Sequence, residues 1–108
     1  QAEDAEVLLV SFGLASRVCR AAIQTLRARG VRAGLFRPIT LWPFPFLELA
    51  AAAAGARRVL VVEMNAGQML EDVRLAVPSA EIHFFGRTGG MVPLPDDVLE
   101  QVERLASG

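Results

Sequence analysis

The stretch Val7-Leu8-Leu9-Val10-Ser11-Phe12-Gly13 decides the fold, because four consecutive branched apolar residues end in small and turn-forming ones. Uninterrupted apolarity, rather than alternation, is typical of a strand that is covered on both faces of a parallel sheet. A second run of this kind, Val59-Leu60-Val61-Val62, leads into Glu63-Met64-Asn65. The two runs predict two central parallel strands, each with polar residues at its carboxyl end.

Amphipathic helical patterns fill most of the chain between strand-like runs. Glycine and proline mark the ends of these patterns. After the first strand, the predicted elements are a helix ending at Gly30, a strand at Val31–Phe36, a helix from Pro45 to Gly55, the strand at Val59–Val62, a helix from the capping-box pair Asn65 and Gln68 to Pro78, a strand at Glu81–Phe85 and a helix opened by Pro95.

Four βα units in series predict one α/β domain with three layers, αβα, around a mainly parallel sheet. The most apolar runs belong in the centre, so the predicted strand order is 2-1-3-4. We place the domain at residues 7–106 and interpret residues 1–6 as a cut end or linker from a longer chain.

Composition excludes several classes of function. The chain has 108 residues, of which 11 are basic and 12 acidic, so nothing favours nucleic acid or an anionic membrane as a partner. Its apolar runs are shorter than the ~20 residues of a membrane-spanning helix. One cysteine fits a reducing, cytoplasmic setting. The hydrophobic fraction of 53% indicates that a partner covers some apolar surface.

Open α/β sheets place functional groups at the carboxyl ends of their strands, where the strand order reverses. The residues predicted to meet there are Ser11, Gly13, Glu63 and Asn65. Glu63 has two interpretations: an anchor that contacts an adjacent domain or a ligand, or a carboxylate paired with Arg37, Arg87 or the free N–H groups of a neighbouring helix. Either way, a charge buried there requires a partner.

Other candidate sites are weaker. Gly13 and Ser16 open the first helix and could bind phosphate, but the chain lacks a G-x-G-x-x-G motif and a Walker lysine. His83 has no second ligand nearby in sequence, so an ordinary strand-face histidine is the better interpretation. Cys19 lies on the apolar stripe of its helix, which favours a small buried hydrophobe over a nucleophile.

Three motifs go beyond a generic α/β pattern. They are Arg37-Pro38-Ile39-Thr40-Leu41-Trp42-Pro43-Phe44-Pro45, the segment from Val61 to Arg74 around Glu63-Met64-Asn65-Ala66-Gly67-Gln68, and Gly86-Arg87-Thr88-Gly89-Gly90-Met91-Val92-Pro93. In this order and spacing, the chain resembles the C-terminal domain of 2-oxoacid:ferredoxin oxidoreductase alpha subunits, which is similar to the C-terminal domain of transketolase. The resemblance covers roughly Val7 to Leu105.

The resemblance implies a parent enzyme that oxidatively decarboxylates a 2-oxoacid to its acyl-CoA and passes the electrons to ferredoxin. The resemblance implies thiamine diphosphate, magnesium and iron–sulfur clusters for that parent. For this domain it implies no catalytic, cofactor-binding or metal-binding residue. The implied partners are other domains, the beta subunit and, for the parent, ferredoxin and CoA. The implied role is a structural and interface domain.

Five residues are candidates for that interface: Trp42, Phe44, Phe46, Arg87 and Met91. The aromatic ones lie in a proline-stiffened connection, where large apolar side chains are unusual unless something covers them. Some of them are expected to turn inward and cover the base of the next helix.

The chain departs from the family pattern at two helix starts. Leu14-Ala15 replaces the small hydroxyl residues that usually follow the first-strand glycine, which weakens the anion-site interpretation. Leu94 replaces the usual threonine cap of the last helix, a loss of about 1 kcal/mol unless another group substitutes.

Two alternatives stay open at this point. One is an autonomous small-ligand-binding module of flavodoxin or receiver type, although Ser11-Phe12-Gly13 stands where a receiver needs acidic residues. The other is the equivalent domain of a transketolase or a 2-oxoacid dehydrogenase.

Overall fold

The computed structural model describes residues 5–38, 44–63, 69–86 and 94–107. Strands and helices alternate along the chain in four βα units. The elements are β1 (Val7–Val10), α1 (Gly13–Ala28), β2 (Ala33–Phe36), α2 (Phe46–Ala52), β3 (Arg58–Glu63), α3 (Leu70–Ala76), β4 (Glu81–Gly86) and α4 (Pro95–Ser107).

The four strands form one parallel sheet in the order β2-β1-β3-β4, which confirms the predicted topology. The first residues of the strands lie in one row, because Val7 is in register with both Ala33 and Arg58, and Arg58 with Glu81. At the other end, β3 and β4 extend two residues beyond the end of β1. The switch point therefore lies between β1 and β3, as predicted.

Both faces of the sheet are covered, as the uninterrupted apolar strands predict. Alternate residues of β1 and β3 point to opposite faces and enter two separate cores. The core on the α1 and α4 side includes Leu9, Leu60 and Val102, and the core on the α2 and α3 side includes Leu8, Val61 and Val73. This division gives the three-layer arrangement.

Helix α1 ends in a Schellman motif at Gly30. The Gly30 N–H donates to the Arg27 carbonyl at 3.0 Å, and the Val31 N–H donates to the Leu26 carbonyl at 2.9 Å. This turn requires the left-handed backbone that Gly30 adopts, with φ of +86°. The Schellman motif includes Val31, whose N–H donates to α1 and not to a neighbouring strand. Strand β2 therefore begins at Ala33, and the predicted start at Val31 is wrong.

Helix α2 is shorter than its alanine tract predicts. It begins at Phe46, with Pro45 as the N-cap, and ends at Ala52 instead of continuing to Gly55. The Ala56 N–H donates to the Ala53 carbonyl at 2.9 Å, so the chain turns there toward β3. Helix propensity alone does not determine where α2 ends, because the chain has to turn early enough for β3 to pair with β1 in register.

Helix α4 replaces part of its missing threonine cap. The Leu94 N–H donates to an Asp97 carboxylate oxygen at 3.3 Å, which is the backward half of a capping box. Leu94 has no side-chain oxygen to complete the forward half. Its side chain is instead 63% exposed.

Candidate functional site at the carboxyl end of the sheet

Ser11 joins the ends of three strands. Its Oγ donates to the Val62 carbonyl at 2.8 Å, and its backbone N–H donates to the Phe36 carbonyl at 3.2 Å. The side chain is fully buried. A hydroxyl has one proton to donate, and here that proton ties β1 to β3. Ser11 is thus placed as a structural link between the central strands.

Glu63 closes the end of β3 onto the start of α3. Its Oε2 accepts a hydrogen bond from the Met69 N–H at 2.9 Å, and the residue is 1% exposed. The N–H groups before the first turn of a helix lack partners within that helix, and a carboxylate satisfies them well. In the structure, the Glu63 carboxylate pairs with the N–H of Met69, the N-cap of α3, as one of the two predicted interpretations has it. Asn65, predicted to lie beside Glu63, is outside the described residues.

Gly13 opens α1 with a left-handed φ of +63°. The Ser16 Oγ donates to the Gly13 carbonyl at 2.6 Å, so this hydroxyl is used within the first turn of its own helix. Beside Gly13 lies an open cleft of about 370 Å³, lined by Phe12, Gly13, Arg37 and Pro38. Arg37 is exposed at this cleft.

The aromatic segment divides between core and surface. Phe44 is 6% exposed and packs into the core on the α2 and α3 side, so it leaves little surface for a partner. Its ring meets that of Phe46 edge to face, with the centroids 5.2 Å apart. Phe46 is 39% exposed. Trp42, Arg87 and Met91 lie outside the described residues.

The titratable side chains offer little reactive chemistry. Burial raises the pKa of the Cys19 thiol to about 12, so the thiol stays protonated near neutral pH. The Nε2 of His83 lies 2.6 Å from a Glu81 carboxylate oxygen at the surface, an ordinary ion-pair setting. In the described part of the chain, no group of three His, Cys, Asp or Glu side chains could hold a metal ion.

The sequence patterns do not predict the exposed leucines at the helix starts. Leu14 is 52% exposed in the first turn of α1, Leu47 is 83% exposed in that of α2, and Leu94 directly precedes α4. The signal was present at Leu14 and Leu94, where leucine replaces hydroxyl residues of the family pattern. At Leu47, the sequence Phe46-Leu47-Glu48-Leu49 holds three large apolar residues and does not show which of them points outward.

The opposite, amino end of the sheet carries ion pairs between elements. Arg29 pairs with Glu103 at 2.8 Å, Arg32 pairs with Glu6, and Arg58 pairs with Glu81 at 3.0 Å. Arg58 also donates to the carbonyl of Leu105 in α4 at 2.6 Å. Charged side chains thus link β1, β2, β3, β4 and both helices of one layer at this end.

Comparison with known proteins identifies the family. Residues 5–98 match the family model of the pyruvate:ferredoxin oxidoreductase core domain II. The chain belongs to this family. It is 43% identical over 104 residues to ketoisovalerate oxidoreductase subunit VorB of Methanothermobacter thermautotrophicus, covering 96% of this chain and 30% of VorB. It is 41% identical over 101 residues to 2-oxoglutarate synthase subunit KorA of Methanothermobacter marburgensis, covering 93% of this chain and 27% of KorA.

Solved structures agree with this family. The fold matches 2-oxoglutarate:ferredoxin oxidoreductase from Magnetococcus marinus with a TM-score of 0.83 at 28% identity, over 94% of this chain and 18% of that one. That enzyme was solved with 2-oxoglutarate, coenzyme A and succinyl-CoA bound. A split-gene transketolase shares the fold, with a TM-score of 0.74 at 16% identity, over 97% of this chain and 39% of that one. The predicted resemblance is confirmed, and the chain spans less than a third of the length of these curated relatives.

Across the described residues, no helix is both long and apolar enough to cross a bilayer.

Proposed function

We propose that this chain is a structural and interface domain, without a catalytic centre of its own, in the alpha subunit of a 2-oxoacid:ferredoxin oxidoreductase. The parent enzyme oxidatively decarboxylates a 2-oxoacid to its acyl-CoA and transfers the electrons to ferredoxin. Relatives named for ketoisovalerate, 2-oxoglutarate and pyruvate support the class of 2-oxoacids rather than one member.

One observation supports the non-catalytic role above others. The buried polar side chains at the carboxyl end of the central strands bond the protein itself: Ser11 bonds the Val62 carbonyl, and Glu63 bonds the Met69 N–H. Catalytic groups have to reach a substrate directly or through a water molecule. Ser11 and Glu63 are less than 2% exposed, so they suit support rather than catalysis.

In this proposal, the cofactors of the parent enzyme bind outside this domain. Iron–sulfur clusters require several cysteine thiolates, whereas this chain has one cysteine, buried as a protonated thiol. Its donor set does not fit a cluster. Thiamine diphosphate and magnesium need a phosphate-binding loop and carboxylate ligands, and the buried Glu63 carboxylate already bonds the Met69 N–H.

The proposed partners are therefore proteins. They are the other domains of the subunit and the beta subunit, with ferredoxin and CoA as partners of the parent enzyme as a whole. A protonated, unpaired cysteine suits the reducing cytoplasm, which is the proposed compartment. The domain boundaries at residues 7 and 106 remain part of the proposal.

Ser11→Ala and Glu63→Gln in the complete oxidoreductase test the proposal. We expect kcat and KM for the 2-oxoacid to stay within about threefold of the unmodified enzyme once the variants are assembled. The assay is 2-oxoacid- and CoA-dependent reduction of ferredoxin, with assembly checked by sedimentation velocity. A loss of about a hundredfold in kcat with assembly intact would show that these residues take part in catalysis.

Calorimetric titration of the 108-residue chain with thiamine diphosphate and magnesium is the complementary test. No saturable heat is expected, because Ser11, Ser16 and Glu63 at the sheet end already bond protein groups. A saturable response at micromolar concentration would overturn the proposed absence of a cofactor site.

A further inference from the structure

The exposed large apolar side chains are concentrated at one end of the domain. Among the described residues there are six, and four of them lie in or directly before the first turns of α1, α2 and α4: Leu14, Phe46, Leu47 and Leu94. In a parallel βα fold, the first turns of the helices lie at the carboxyl end of the sheet. These four residues are called the apolar rim below.

The apolar rim is too widely spread for a small molecule. Leu14 and Leu94 precede or open helices that pack side by side, about 10 Å apart, on one face of the sheet. Phe46 and Leu47 open α2 on the opposite face. The domain measures 35 × 32 × 22 Å, so one end of it is comparable to a standard protein interface of about 800 Å² per partner.

The rim differs from the rest of the surface in its charge pattern. The described ion pairs that join different elements lie at the amino end or start there, as with Arg29–Glu103 and Arg58–Glu81. At the rim, the first turn of α2 carries the carboxylate of Glu48, and the first turn of α4 carries those of Asp96 and Asp97, of which Asp97 accepts from the Leu94 N–H. A centre of large apolar residues with charges at its margin is the usual anatomy of a protein interface.

We infer that the apolar rim is the docking surface of this domain, and that its occupant is an apolar, charge-poor surface on another domain of the oxidoreductase subunit. The inference rests on the proposed function. The occupant is a domain because relatives carry more than two thirds of their length outside the region they share with this chain. A charge-rich partner fits poorly, since the rim has leucine and phenylalanine where ion pairs would be needed.

Cysteine substitution gives a direct test with a matched control. Leu47 is 83% exposed on α2, and Leu75 is 72% exposed on α3 in the same layer. Both helices have seven residues, but Leu75 lies in the last turn of its helix, at the amino end of the sheet. The native Cys19 does not interfere, because it is buried and its thiol is protonated.

The experiment compares the maleimide modification rates of Leu47→Cys and Leu75→Cys in the complete oxidoreductase, read by peptide mass spectrometry. We expect Leu47→Cys to react at least about tenfold more slowly than Leu75→Cys, because an interface core excludes water. After subunits and domains are separated by limited denaturant, the two rates should converge. Leu14→Cys and Leu94→Cys should follow Leu47→Cys.

Equal rates for Leu47→Cys and Leu75→Cys in the assembled enzyme, or faster modification of Leu47→Cys, would overturn the inference. Ferredoxin reduction by the same preparation distinguishes the two proposals. If the enzyme is active and the rim is unprotected, only the docking surface is refuted, and the proposed function stands. If the rim is protected in a protein that lacks 2-oxoacid activity, the proposed function is refuted and the docking surface stands.

Discussion

At the amino end of the sheet, charged side chains join neighbouring elements, whereas at the carboxyl end Ser11 and Glu63 are buried and leucines project outward. Arg58 reaches both Glu81 and the Leu105 carbonyl, so β3, β4 and α4 are linked without outside help. At the other end, Ser11 and Glu63 hold the strands from inside while Leu14 and Leu47 are exposed. The elements at the amino end are held together by bonds within the domain. The carboxyl end, with its exposed leucines, has the character of a surface that a partner covers.

Glu63→Ala should give the largest loss of stability. It leaves the Met69 N–H without its acceptor and creates a cavity at a residue that is 1% exposed. We expect the free energy of unfolding to fall by about 3 kcal/mol. Glu63→Gln keeps an acceptor and the shape, so it should lose less than half as much in urea denaturation. Equal losses would mean that the hydrogen bond is not what holds the start of α3.

Ser11→Ala should come next, with a loss of about 1–2 kcal/mol, because the buried Val62 carbonyl loses a donor. The matched control is Ser16→Ala, which removes a hydroxyl bonded within the first turn of its own helix. We expect thermal unfolding to show a clearly smaller change for the control. If Ser16→Ala is the more damaging change, the link between β1 and β3 is not important.

Arg58→Met tests the amino end. Its side chain is 19% exposed and makes two contacts, so we expect a loss of about 1 kcal/mol. Arg32→Met removes an ion pair whose partners are 60% and 50% exposed, and should change stability by less than about 0.5 kcal/mol. A loss for Arg32→Met that matches the loss for Arg58→Met would show that exposed pairs matter more than proposed.

Leu94→Thr should stabilise the isolated domain by about 0.5–1 kcal/mol, since a threonine hydroxyl would complete the capping box that Asp97 half fills. In the complete enzyme the same change should weaken assembly, because it removes part of the apolar rim. Thermal unfolding and sedimentation velocity measure the two effects. A gain in both stability and assembly would contradict the role given to Leu94.

The amino end should also respond to acid. Arg32 lowers the pKa of Glu6 by hydrogen bonding, and His83 and then Arg58 lower the pKa of Glu81 in the same way. A lowered folded-state pKa contributes stability above the unfolded value of about 4.5 and loses it as pH falls further. We expect a modest fall in melting temperature below that pH, reduced in the double variant Glu6→Gln and Glu81→Gln.

The sequence predicts the sheet well because its signals are local. Uninterrupted apolar runs at Val7–Val10 and Val59–Val62 require two covered faces, and serial βα units leave few topologies. The start of β2 and the end of α2 were wrong by two or three residues, since a Schellman turn and a strand register decide them. Burial of Phe44 beside exposed Leu47 depends on how α2 rotates on the sheet, which no local pattern gives.

Hydrogen exchange at the two ends of the helices tests the central claim most directly. The isolated domain and the complete oxidoreductase are compared for the amides that open α1, α2 and α4 and for those that end α1 and α4. We expect protection of the first turns to rise by about tenfold or more on assembly, while the last turns, near the Arg29–Glu103 pair, stay nearly unchanged. Similar changes at both ends, or stronger protection at the last turns, would contradict a docking surface at the carboxyl end.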